Sequence, residues 1–377
     1  TLLVTNDFPP TMGGIQSYLR DFAAELARRE GPDSLVVFAS VQDALTAGEW
    51  DETVPYTVVR WPHRVMLPTP ATVRELQRLV RLYHIDTVWF GAAAPLALMG
   101  AAAKRAGASN VVASTHGHEA GWAKLPVGRS ILRAIGRSAD AVTYISDYTL
   151  HRLRPAFGDH PRFVALPSGV DTEFFRPAAA AERAATRKSL GVGADPLIVC
   201  SSRLVARKGQ DALIRALPEV RRQARNARLA IVGSGPYERR LRAIAGDGVI
   251  FMGAVPRERL RDVVAAADVF AMPARTRLGG LDVEGLGIVY LEAQACGVPV
   301  VAGRSGGAPE TVTAETGIVV DGHDSDAVAE AISQLLADDQ RRTRMGLAGR
   351  AHVAQHFSWE VLGARLAGLC GAQAEAD

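Results

Sequence analysis

Seven short apolar runs rich in β-branched residues recur through the first half of the chain: "TLLVTN", "SLVVFAS", "TVVRW", "DTVWFG", "NVVASTH", "AVTYIS" and "RFVALPSG". Longer segments with helical spacing lie between most of them. After the polar, Pro- and Ala-rich stretch "PSGVDTEFFRPAAAAERAATRKSLG" the order restarts with "PLIVCSS", "RLAIVG", "VIFMG", "DVFAMP", "VPVVAG" and "GIVV". Near-continuous apolar strands alternating with helices are those of parallel sheets covered on both faces. Two such series predict an α/β protein of two doubly wound domains, with the boundary between residues 168 and 195. A length of 377 residues suits two domains of about 150–200 residues each.

Hydrophobic residues make up 48% of the chain, enough for sizeable cores and too many for a disordered protein. A net charge of +3 gives no general case for nucleic acid, so any basic surface must come from local clustering. Cys200, Cys296 and Cys370 are far apart and odd in number. They read as reduced thiols of a cytoplasmic protein, neither a disulfide frame nor a zinc site. The sequence opens on an apolar strand without a basic–apolar–small signal pattern. The longest apolar run, residues 91–103, is shorter than the ~20 residues of a spanning helix. These features predict a soluble protein that is free to sit on a membrane surface.

In doubly wound folds ligands bind at the C-terminal ends of strands, so the residues just after each strand carry the functional information. Gly13 and Gly14 follow the first strand and precede an amphipathic helix, where glycine lets a ligand approach the backbone and the helix start favours an anion. Arg203 and Lys208 lie in the glycine-containing loop "SSRLVARKG", a pattern that suits phosphate. Gly233 and Gly235 in "IVGSGP" resemble a dinucleotide fingerprint without its third glycine, and read better as a tight turn lining a ligand site. His116, His118 and Glu119 sit at another strand end. No further His/Cys cluster completes a metal set there, so a polar contact to substrate is the better reading, with one histidine structural. Asp324 and Asp326 form an Asp-x-Asp pattern, but Asp324 directly precedes a helical run and reads as its N-cap.

The stretch "EGLGIVYLEAQACG" has Glu284 in a loop ahead of a helix that should begin near Gly287 or Ile288. The first helical N–H groups, near Ile288 and Val289, suit a diphosphate. Glu284 can accept hydrogen bonds from hydroxyls on whatever the diphosphate carries, and Glu292, at least a turn further on, can reach a ribose. A second surface is offered by "WPHRVMLPTPATVRELQRLVRLYH". Arg74, Arg78 and Arg81 share one helical face, with Leu76, Leu79, Val80 and Tyr83 on another. Trp61, Met66 and Leu67 lie in the loop before it, and this basic and apolar edge can dock on anionic lipid.

These pieces together resemble the retaining glycosyltransferases of family four, with the GT-B fold: two Rossmann-like domains with a cleft between them. The resemblance rests on "NDFPPTMGGIQ", "VTYISDYT", "PSGVDTEFFRP", "SRLVARKGQD", "AIVGSGPYERRLR", "VIFMGAVPRERL", "ADVFAMPAR", "EGLGIVYLEAQACGVPVVAGRSGGAPETV", "TGIVV" and "FSWE", and so covers nearly the whole chain. "THGHEAGWAKLP", "MPARTRLGGLDVEGLGIVYLEAQACG" and "TNDFPPTMGGIQSYL" are similar to the branch of the family that moves mannose from GDP-mannose to a phosphatidylinositol monomannoside. The resemblance implies an acceptor-binding domain over 1–168, a donor-binding domain over 169–355 and a terminal helix, 356–377, that crosses back to the first domain. It implies that Glu284 binds mannose hydroxyls, Arg203 and Lys208 the diphosphate and Glu292 the ribose. Gly253 and Val255 would meet the guanine, Gly14 the diphosphate, and His118 or His116 the sugar. It further implies retention, a phospholipid acceptor, and peripheral attachment to the inner face of the cell membrane. With two cations and a helix start at the leaving β-phosphate, no divalent metal or other cofactor is then expected. A transferase with another donor or acceptor, a nucleotide-sugar epimerase and a non-enzymatic nucleotide-sugar binder remain alternatives at the level of sequence.

Overall fold

The computed structural model describes residues 1–11, 13–41 and 43–371. The chain divides into two units. One comprises residues 1–168 together with the chain from Trp359 onward, the other Gly169–Ser358.

The first unit is built on seven parallel strands: β1 (Leu2–Thr5), β2 (Val36–Ser40), β3 (Thr57–Trp61), β4 (Thr87–Phe90), β5 (Asn110–Ser114), β6 (Ala141–Tyr144) and β7 (Arg162–Ala165). Their order is β3-β2-β1-β4-β5-β6-β7, with Leu2 in register with both Val36 and Val88. Central β1 is buried throughout, whereas edge strand β3 is partly exposed, which is the gradient expected of a sheet covered on both faces. Helices Pro70–Leu82, Gly100–Ala106, Pro126–Ser138 and Asp147–Phe157 close one face over Leu76, Leu79, Met99, Leu132, Ile135 and Phe157. Helices Gly14–Glu30 and Trp359–Cys370 close the other over Leu19, Phe22, Leu26, Trp89, Leu362 and Leu366. The Trp359–Cys370 helix is tied down at both ends. Arg29 pairs with Glu360 at 2.8 Å, and the last carbonyls accept from Asn110 (2.7 Å, Leu369 O) and Thr87 (2.8 Å, Cys370 O).

Helix Pro70–Leu82 shows how local sequence sets an element. Thr69 caps it, Thr72 reaches back to the Thr69 N–H at 2.8 Å, and Pro70 takes the first helical position, where no N–H is needed. Leu76, Leu79 and Val80 are buried, and Arg74, Arg78 and Arg81 point outward as their spacing predicts. The preceding loop differs from the sequence expectation. Met66 is fully buried in the core, not offered to a membrane. Asn6 clamps its backbone, donating to Met66 O at 2.9 Å and accepting from Met66 N at 2.6 Å, and so turns the side chain inward. Trp61 is likewise packed, edge-on to Phe38 and against His63. Tyr83 belongs to the exposed end of the helix, along with Leu82. Val65 and Leu67 remain exposed.

The second unit repeats the plan with β8 (Leu197–Ser201), β9 (Arg228–Val232), β10 (Val249–Gly253), β11 (Val269–Met272), β12 (Val300–Gly303) and β13 (Gly317–Val320), all parallel in the order β10-β9-β8-β11-β12-β13. Helix Gln210–Gln223 packs on Ser325–Ala337, and Ile288–Ala295 on Asp339–His356. Asp324 accepts from the N–H groups of Asp326 and Ala327 at 2.9 and 3.0 Å, which is an N-cap. The segments that enter and leave this unit lie side by side. Val170 bridges Ser358 and donates to Phe357 O at 2.7 Å. In each sheet the strand order reverses next to the first strand, between β1 and β4 and between β8 and β11. The loops after those strands are the ones the topology opens to a ligand.

Candidate active site

In the second unit the loop after β8 carries Arg203 and Lys208. It lies against the turn after β9 through backbone bonds from Leu204 N to Ser234 O (2.9 Å) and from Tyr237 N to Leu204 O (3.0 Å). This contact explains the glycines of "VGSG". A Cβ at Gly233 would run into the Ser202 carbonyl, and one at Gly235 into that of Leu204. Close backbone packing is their work. Gly209 ends the loop in the left-handed region (φ 77°), where a Cβ would strike the Pro273 carbonyl and push the loop away from the end of β11. Gly253 ends β10 with φ 68° and accepts from Gly233 N at 2.7 Å through its carbonyl, and Val255 follows, half-buried.

The loop after β11 brings Glu284 to meet this segment. Its backbone is fixed by Ser305 Oγ, which accepts the Glu284 N–H at 3.2 Å, and by Gly307 N, which donates to Glu284 O at 3.0 Å. Lys208 Nζ lies 2.6 Å from Glu284 Oε2, both side chains being about nine-tenths buried. The sequence assigns these two residues to separate parts of a ligand, whereas the fold joins them in an ion pair. Arg207, which the sequence reading passed over, stands 3.5 Å from Asp282 and 3.9 Å from Glu284. Its carbonyl accepts from Arg275 N at 2.8 Å, and the Arg275 side chain is anchored on buried Asp211 at 2.6 Å. Arg203 is exposed and has no ion-pair partner among the described residues.

Gly287 turns the chain at φ 89° into helix Ile288–Ala295. Tyr290 holds the helix to the end of β11 by donating to Met272 O at 2.6 Å. Ile288 and Val289 supply first-turn amides, which a helix leaves without intrahelical acceptors. Glu292 is half-buried on this helix, and none of the described residues hydrogen-bonds its carboxylate. Burial pushes its pKa up to about 7, with Arg257 acting weakly in the other direction. A desolvated carboxylate without donors suits hydroxyl groups brought by a ligand.

The first unit places the remaining candidates at the ends of its own strands. Gly13 is the extended residue ahead of helix Gly14–Glu30, and its Cα faces the Gln16 side chain, which reaches back to Asp7 at 2.9 Å. A Cβ at Gly14 would meet nothing within 4 Å, so its backbone is open to a ligand. After β5, His116 Nε2 lies 2.7 Å from Gly91 O, so that nitrogen carries the hydrogen. Its ring packs edge-on to Tyr18, and burial lowers its pKa, keeping it neutral. His118 is half-exposed, with Nε2 3.4 Å from buried Glu119. Among the described residues, no group of three or more His, Cys, Asp or Glu side chains is placed to hold a metal ion.

Comparison with known proteins assigns this arrangement to a family. Residues 182–352 match the glycosyl transferases group 1 model and residues 12–174 the glycosyltransferase family 4 model. A Corynebacterium glutamicum protein named GDP-mannose-dependent monoacylated alpha-(1-6)-phosphatidylinositol monomannoside mannosyltransferase is 58% identical over 98% of this chain and 97% of its own. The Mycolicibacterium smegmatis GDP-mannose-dependent alpha-(1-6)-phosphatidylinositol monomannoside mannosyltransferase is 54% identical over 100% and 99%. The chain belongs to glycosyltransferase family 4. Among solved structures, Anabaena HepE in complex with UDP superposes with a TM-score of 0.79 at 21% identity, over 97% of this chain and 98% of that one. Sucrose-phosphate synthase from Thermosynechococcus elongatus superposes at 0.76 and 23%, over 98% and 97%. The fold is GT-B. As a family 4 glycosyltransferase the chain is an enzyme.

Proposed function

We propose that this glycosyltransferase moves mannose from GDP-mannose to a phosphatidylinositol monomannoside at an anionic membrane surface, with retention at the anomeric carbon and without a divalent metal. The names of the full-length relatives support donor and acceptor. The observation that carries the reading is the Lys208–Glu284 ion pair set just before helix Ile288–Ala295, with Arg203, in the same loop as Lys208, without an ion-pair partner among the described residues.

The pair is a resting state for two groups with different partners in the bound donor. A diphosphate draws Lys208 toward itself, together with Arg203 and the amides of Ile288 and Val289. Glu284 is then released to accept from mannose hydroxyls, and Glu292 accepts from the ribose. Gly253 and Val255 offer backbone to the guanine. On the first unit, Gly13 and Gly14 leave backbone open to an anion, and His118 offers its imidazole to a sugar hydroxyl. Cleavage breaks the bond from the mannose anomeric carbon to the β-phosphate oxygen, and the electron pair leaves with the phosphate. The two cations and the helix start stabilise that charge, the term that usually dominates such steps. The acceptor hydroxyl attacks from the face the phosphate leaves, and its proton passes to the phosphate.

The test is transfer of labelled mannose from GDP-mannose to the purified phosphatidylinositol monomannoside. Activity is expected to persist in excess EDTA, and a strict magnesium or manganese requirement overturns the metal-free reading. Glu284→Gln removes charge-assisted hydrogen bonds worth roughly 1.5–3 kcal/mol each, or one to two decades in rate. GDP binding is expected to survive the change, because GDP carries no mannose. Collapse of GDP affinity with normal turnover of bound donor means that Glu284 does not hold the sugar.

A further inference from the structure

We propose that Glu119 is a positioning residue that fixes the tautomer and orientation of His118, a role that rests on the reading in which His118 meets the sugar. The turn after β5 is built around this carboxylate. Glu119 is fully buried, and its Oε2 accepts the backbone N–H groups of His116 (3.1 Å) and Gly117 (3.0 Å). Gly117 takes φ 93°, and a Cβ there would press on Thr149 Cγ2 at 3.2 Å, so the turn is held to this shape.

The other oxygen is different. Glu119 Oε1 is buried and makes no hydrogen bond, yet His118 Nε2 stands 3.4 Å away. A buried carboxylate oxygen without a donor is costly, and the imidazole N–H is the donor that its surroundings supply. The 3.4 Å separation is long for such a bond, and contacts of this kind tighten when a ligand orders the ring. The His118 ring also lies parallel to His116, at 6.3 Å between centroids and 6° between planes. His116 is itself anchored on Gly91 O, so the stack has a fixed base.

In the proposal the hydrogen of an uncharged His118 ring sits on Nε2, directed at Glu119, which leaves Nδ1 as an acceptor. A sugar hydroxyl is the group that such a nitrogen takes. The carboxylate therefore acts through the imidazole and does not touch substrate.

Glu119→Gln separates this role from a structural one. The amide oxygen keeps the two backbone N–H groups, which accept no substitute for an acceptor, and the amide NH2 is left facing His118. His118 Nε2 must then accept from that amide, and the imidazole hydrogen moves to Nδ1. Nitrogen-15 histidine spectra, with the His118 signals assigned by the H118A variant, read the tautomer directly. The Nε2–H form is expected in the wild type and the Nδ1–H form in E119Q. The turnover number of E119Q for mannosyl transfer is expected to fall about tenfold, the size of one hydrogen bond. In an H118A background the same substitution is expected to cost no more than about twofold, because nothing remains to be positioned. An Nδ1–H tautomer in wild-type enzyme that transfers mannose overturns the proposal and leaves the transferase reading standing. That readout does not depend on whether E119Q folds. Equal loss from E119Q with and without His118 also overturns it, since the residue would then serve the turn alone. An H118A enzyme with the wild-type rate removes both the sugar contact and the positioning role.

Discussion

Glu292 carries the clearest pH signature in the site. Its pKa, raised by burial to about 7 from 4.5, means that the folded protein holds a proton that the unfolded chain has lost between those two values. Stability therefore falls as pH rises through that window and is level above it. Glu292→Gln removes the cost of ionising a buried group. It is expected to melt with the wild type at pH 4 and to be more stable at pH 8, by an amount on the order of 2 kcal/mol. Ribose hydroxyls donating to the carboxylate reverse the preference. GDP binding near pH 6 is then expected to release a proton, seen as a binding heat that varies with the ionisation enthalpy of the buffer. A heat independent of buffer means that the ribose does not engage this residue. The sequence alone gave Glu292 and Glu284 as acids flanking a helix start. It did not show that Glu284 is paired with Lys208, because that pairing depends on how two loops 76 positions apart in the chain are folded together (284 less 208). Arg207 was missed for the same reason, and Glu119, named beside the two histidines, was read without its burial or its bonds to the turn. Each takes its meaning from a partner or a burial that no local spacing announces, although "ARKG" and "HGHE" marked the places to look.

At the scale of elements the sequence was legible wherever period and punctuation agree. Fully buried strands, the cap at Asp324 and the turn at Gly287 follow from residues within a few positions of one another. The loop 62–68 was not legible, because its fate is set by Asn6, sixty residues away, which draws Met66 into the core. The helix that follows keeps its outward arginines, and with Leu67 it is the surface we assign to lipid. Each basic side chain near an anionic surface contributes about 1 kcal/mol, and salt weakens it. Replacing Arg74, Arg78 and Arg81 with glutamate is expected to abolish co-sedimentation with anionic vesicles at low salt, with GDP binding unchanged by calorimetry. Undiminished sedimentation of the triple variant moves the lipid contact elsewhere, the exposed helix Pro126–Ser138 with Arg129, Arg133 and Arg137 being next in line. No helix among the described residues is long and apolar enough to cross a membrane.

The whole molecule has the form of one doubly wound unit interrupted by another. The first unit begins the chain and takes it up again at Trp359, and the second occupies Gly169–Ser358 without a break. Its two ends are joined by the Val170–Ser358 bridge and the 2.7 Å bond from Val170 N to Phe357 O. A segment whose ends already touch closes on itself, so its core owes nothing to loop closure by the surrounding chain. The piece 169–358 is expected to fold when expressed alone and to bind GDP while transferring no mannose. An unfolded fragment, by circular dichroism, would show instead that the two units mature together. The same adjacency makes the second unit an exchangeable cassette. The corresponding unit of another transferase, cut at equivalent neighbouring ends, can be spliced between Ser168 and Trp359 without lengthening either crossing. Diversity in the second unit is then open to inheritance by the transplanting of one continuous stretch of gene, while the first unit stays in place.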